Sequence, residues 1–127
     1  MYYIVESDKS FYEASVDLEE VILRLGFSVL GSHDLGASLR DKDIDCDEEA
    51  KVFEIGNPRQ TVSLLAADIR LNMVLPCRIS VFTEEGVTKI GLVRPGALLP
   101  LLSAAGEVAG VAAEVEARMI QIVDEAR

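Results

Sequence analysis

Residues 73–83, MVLPCRISVFT, alternate: Leu75, Cys77, Ile79 and Val81 fall on one face, Pro76, Arg78 and Ser80 on the other. A period of two marks a strand with one buried face. Glu85-Gly86 then reads as a tight turn into a second strand, VTKIGLV, at 87–93. Two adjacent strands joined so closely pair antiparallel, which commits the chain to an antiparallel sheet. Everything else must pack around that hairpin.

Two helical stripes offer the packing. Ser7 or Asp8 provides an N-cap for a helix running to about Leu25, with Phe11, Ala14, Leu18, Val21, Ile22 and Leu25 on one side. Gly26 stands where a left-handed residue would end it. A second helix, from about Glu107 to Glu125, carries Val108, Val111, Ala112, Val115, Met119, Ile122 and Val123, with Glu114 and Arg118 paired on its wet side. Between them, residues 1–6, 27–35 and about 51–55 read as strands, Gly31 marking a bulge in the second. Residues 36–49 read as a short helical turn followed by an exposed acidic loop. Asn57-Pro58 opens a middle helix with Val62, Leu65, Ala66 and Ile69 on one side. Arg94-Pro95-Gly96 ends the sheet, and a short segment, ALLPLL, follows it. The expected fold is α+β, one domain over 1–127, with helices on one face of a largely antiparallel sheet.

Charge limits the partners. With 12 basic against 22 acidic residues, a net charge of −10 argues against nucleic acid and against anionic membrane surfaces. No run reaches the apolar length of a membrane span. Nothing at the N-terminus resembles an export signal, so a cytoplasmic location is expected, with Cys46 and Cys77 as free thiols.

The possible sites are few. Counted from Asp43, the carboxylates of Asp45, Asp47 and Glu54 match positions three, five and twelve of a calcium loop, but Glu48 occupies the turn position that needs glycine. A solvated loop is the better reading, and no metal is assigned. His33 is the only histidine. It suits a general base or a haem ligand, but between Ser32 and Asp34 it reads more simply as a surface residue. Cys77 lies on the apolar face of its strand, where a thiol is inert unless a cation or helix terminus lowers its pKa. Gly56-Asn57-Pro58-Arg59 is the best anion perch in the chain, a helix start with an adjacent guanidinium. No glycine-rich phosphate loop, nucleophile elbow or HExxH motif is present.

Helix-then-Gly26-Phe27, Gly56-Asn57-Pro58, and Leu75-Pro76-Cys77 before an alternating strand and Glu-Gly turn together resemble the domain of unknown function 302 family. The resemblance spans nearly the whole chain. It implies a TBP-like β-α-β(4)-α fold and a homodimer. Relatives commonly carry cysteine before the Asn-Pro, where this chain has Gly56, so a dithiol function implied by the family would lack one partner here. The leading expectation is a homodimeric binding module for a small molecule or cofactor, with Gly56, Asn57, Pro58, Arg59, Cys77 and His33 at its site. A thiol enzyme using Cys77, or a haem protein using His33, Met73, Met119 or Cys77, are the alternatives.

Overall fold

The computed structural model describes residues 1–127, and its backbone forms a single five-stranded sheet. In chain order the elements are β1 (Tyr2–Ser7), α1 (Phe11–Arg24), β2 (Ser28–Asp34), α2 (Leu35–Arg40), β3 (Ala50–Gly56) and α3 (Pro58–Ala67). A 3₁₀ helix (Ile69–Val74), β4 (Cys77–Glu84), β5 (Val87–Val93), α4 (Pro95–Leu102) and α5 (Val108–Ala126) complete it. The strand order is β1-β5-β4-β3-β2, every pair antiparallel. The hairpin is as expected, with Glu85 (φ 52°) and Gly86 (φ 82°) both left-handed, the turn that matches strand twist.

α1 begins two or three residues later than its expected caps, Asp8 or Ser7. Ser7 is still paired with Thr88 in the β1–β5 ladder. Ser10 caps the helix instead, its Oγ accepting from the Glu13 amide at 3.1 Å. Gly26 (φ 87°) ends the helix, and the amides of Gly26 and Phe27 return to the carbonyls of Leu23 and Ile22. That double return is the Schellman closure, which a side chain at this φ would strain.

The inward-facing residues of the sheet, Phe53, Ile55, Ile79, Val81, Ile90 and Leu92, pack against Ala14, Leu18 and Ile22 of α1 and against Val115, Met119 and Ile122 of α5. A smaller second core joins Leu64 of α3, Leu71 of the 3₁₀ helix, Leu99 of α4, and Val108 and Ala112 of α5. The structure is therefore α+β, with helices packed on an open antiparallel sheet.

Four local expectations are corrected. The segment from 73 begins as the end of a 3₁₀ helix, and the strand starts only at Cys77. Asp68 caps that helix by accepting from the Arg70 amide at 3.1 Å, which holds the backbone out of the sheet. The middle helix buries Leu64 (1% exposed), whereas Val62 and Ile69 face solvent, because α3 rests on the 3₁₀ helix and α5 rather than flat on the sheet. Residues 95–102 form a full helix, Pro95 starting it where no amide is needed. Arg118 bonds Gln121 at 3.2 Å in place of the Glu114 pair.

Candidate functional site

The sheet face away from α1 and α5 carries no layer. Its residues follow from alternation and register: Tyr2 and Ile4 on β1, Gly91 and Val93 on β5, Arg78, Ser80 and Phe82 on β4, Ala50, Val52 and Glu54 on β3, Gly31 and His33 on β2. Three of these on neighbouring strands are small (Ala50, Ser80, Gly91), so the middle of the face is hollow. Gly91 is required by close approach: a Cβ there would lie 2.9 Å from Ile4 Cγ1 and 3.2 Å from the Tyr3 carbonyl.

A groove of about 730 Å³ follows from this. Ala50, Val52, Ser80 and Gly91 form the floor, and Tyr2, Ile4, Phe82 and Val93 rise around it. Met73 and Val74 of the 3₁₀ helix and Leu98 and Leu99 of α4 wall one end. Arg78 stands at that end, while Glu48, Glu49 and Thr83 close the other. From Arg78 to Thr83 is about 17 Å along the strand at ~3.3 Å per residue. The volume lies in the range of small-molecule sites.

A line of charge crosses the end of the groove where Arg78 stands. His33 Nε2 lies 2.6 Å from Glu54 Oε1, so an Nε2–H donates to that carboxylate. Arg78 is 3.8 Å from the other Glu54 oxygen, an ion pair beyond hydrogen-bond distance. The β2 bulge between Val29 and Gly31 sets this arrangement, shifting the register so that Gly31 faces Glu54 and His33 faces Val52. Glu54, counted above among calcium-loop positions, therefore serves His33. No three His, Cys, Asp or Glu side chains gather where they could hold a metal ion.

The expected site residues are distributed around this groove unevenly. Cys77 borders it, while its side chain packs against the main core. Ile55 pairs with Cys77 across the ladder, so the Gly56-Asn57-Pro58 turn and the Leu75-Pro76-Cys77 segment do lie side by side at one end of the sheet. The groove lining, however, does not include Gly56, Asn57, Pro58, Arg59 or His33. Asn57 Oδ1 accepts from the amides of Arg59 (3.1 Å) and Gln60 (3.2 Å), so the side chain caps its own helix. A side chain at position 56 would meet Leu30 Cδ1 at 3.0 Å and Thr61 Oγ1 at 3.9 Å. Among the other candidate ligands, Met119 is fully buried under the helices, and Met73 stands 77% exposed on the groove wall. His33 and Cys77 belong to opposite faces of the sheet, which removes the imidazole as a base for the thiol. Motif reasoning missed Arg78 and weighed Glu54 only as a calcium-loop position; the signal was their outward parity on β4 and β3.

Burial pushes the Cys77 thiol up to about 11, so it is protonated at neutral pH. Alkylation of Cys77 by iodoacetamide at pH 7.5, followed by peptide mass mapping, is expected to run at least about tenfold slower than that of free cysteine. Rapid labelling would restore the thiol as a candidate nucleophile.

No helix is long and apolar enough to cross a membrane. The family model described as Domain of unknown function DUF302 matches residues 3–126. Among solved structures, that of an uncharacterized conserved DUF302 protein from Bacillus stearothermophilus is similar to the chain at 28% identity, covering 99% of this chain and 98% of that one, with a TM-score of 0.93. No curated protein matches.

Proposed function

We propose that this chain, which belongs to the DUF302 family, is a homodimeric binding module that holds a small molecule in the groove of its open sheet face. The observation that carries the reading is the hollow itself. An antiparallel sheet can leave one face to water when that face is polar. Here the uncovered face is lined largely by apolar side chains, with Tyr2 72% exposed, an arrangement that favours an occupant over bulk water. A second copy resting on the apolar rim would close the groove from above, which is the support for the dimer.

Nothing in the geometry favours the thiol enzyme, since its sulfur is protonated and its only histidine lies on the other face. Of the candidate haem ligands, Met73 and Cys77 border the groove, but His33 lies outside its lining and Met119 is buried in the main core.

Native mass spectrometry of the purified protein is expected to show a dimer and a non-covalent mass above the chain. Ser80→Trp would fill the floor of the groove from an outward position. Its circular dichroism should match the parent, and the extra mass should disappear. A monomer would refute the dimer. Binding that survives Ser80→Trp would refute the groove.

A further inference from the structure

The groove is electrically lopsided, and we infer that its occupant is an elongated apolar molecule with one anionic head group, carboxylate or phosphate, seated on Arg78. This rests on the binding reading above and adds the chemical class of the ligand.

Arg78 is the only cation in the lining. Its side chain is 67% exposed, and it donates no hydrogen bond within the chain; its one ion pair is the 3.8 Å approach to Glu54. A guanidinium has five N–H donors in a planar fork suited to two oxygens of a carboxylate or phosphate. The carboxylate nearest that fork, Glu54, is held by His33 at 2.6 Å. With Glu54 bonded to His33 and its other oxygen 3.8 Å away, the fork of Arg78 keeps its donors free at the end of the groove it lines.

The opposite end fixes the orientation. Glu48 and Glu49 lie there, with Glu49 already engaged by Arg40 at 2.9 Å. An anion placed at that end would meet the Glu48 carboxylate, which no cation pairs, so the head belongs at Arg78 and the tail runs toward Phe82 over Ser80 and Gly91. About 17 Å of strand accommodates one extended chain. The overall charge of −10 slows the approach of any anion but acts weakly at contact, because charges beyond about 8–10 Å are screened at physiological salt.

Isothermal titration with decanoate, decyl phosphate, decan-1-ol and decyltrimethylammonium, each below its micelle concentration, tests the assignment. The two anions are expected to bind about tenfold or more tighter than the alcohol, and the cation weakest. Their relative affinities distinguish the carboxylate from the phosphate head. Arg78→Gln, at an exposed position, should erase the anion preference and leave decanol binding within about twofold. Ser80→Trp should abolish binding of all four. Equal affinities for anion and alcohol would overturn the anionic ligand and leave the groove intact. Anion preference retained in Arg78→Gln would overturn the role of Arg78. Absence of binding by every probe would overturn the groove reading as well.

Discussion

Phe53→Ala is expected to remove about 3–5 kcal/mol of unfolding free energy, the range seen when a large buried aromatic is cut back to a methyl group. Phe53 is 1% exposed in the middle of β3, opposite Ile79 of β4, with α1 and α5 closing over it. The cavity it would leave is bounded by ladder hydrogen bonds on one side and packed helices on the other, so neither can collapse far into it. Domains of this kind have total stabilities of about 5–15 kcal/mol, so the variant should unfold at a much lower urea midpoint with an unchanged slope. Val62→Ala, on the solvent side of α3, is the contrast and should change the unfolding free energy by no more than about 0.5 kcal/mol. A Phe53→Ala loss below about 1 kcal/mol would show that the sheet–helix core is not where the stability resides.

Glu116→Ala should cost about 2 kcal/mol, and its effect should concentrate in one element. Glu116 projects from α5 to the start of α4. Its Oε2 accepts from the Arg94 guanidinium at 3.2 and 3.3 Å, and its Oε1 accepts from the Gly96 amide at 3.0 Å. Removing the carboxylate leaves a half-buried amide without a partner and a guanidinium without its counter-charge, a loss of the order found for charge-assisted bonds. α4 has no side-chain cap of its own, so this clamp is what replaces one. Because Leu98 and Leu99 wall the groove, the same variant should also weaken binding there. Hydrogen exchange is expected to speed up over residues 97–102 while α1 stays protected. Glu116→Gln keeps an acceptor for the Gly96 amide and should recover part of the loss. Unchanged exchange in α4 would show that its seating depends on Leu99 and the second core alone.

The elements legible in the sequence are those with a single buried face. α1 and α5 each bury one stripe against the sheet, and the hairpin at Glu85-Gly86 alternates cleanly on both strands. α4 was hidden because ALLPLL has no polar face to contrast with its apolar one: Leu99 enters the second core, Leu98 lines the groove, and Leu101 stays exposed. The buried side of α3 was misplaced because the helix touches its neighbours narrowly through Leu64, so several apolar stripes fit equally well. The groove has a different kind of invisibility. Ala50, Ser80 and Gly91 are small outward residues on three strands, and each looks unremarkable until the register sets Ser80 opposite Gly91 and Ala50 on the diagonal from Ser80. The His33–Glu54 contact depends further on a one-residue slip in β2 that no local pattern reports. Cys77 was recognised from its motif and does border the groove, but the Asn57 turn beside it turns out to serve its own helix.

The slip in β2 also governs how one sheet can meet another at its margin. β2 is an outer strand, and the irregularity between Val29 and Gly31 puts its free amides and carbonyls out of step along that margin. A newcomer strand would have to match the same irregularity to bond along the whole length. On that side the chain therefore offers no unbroken template for lateral growth into fibrils.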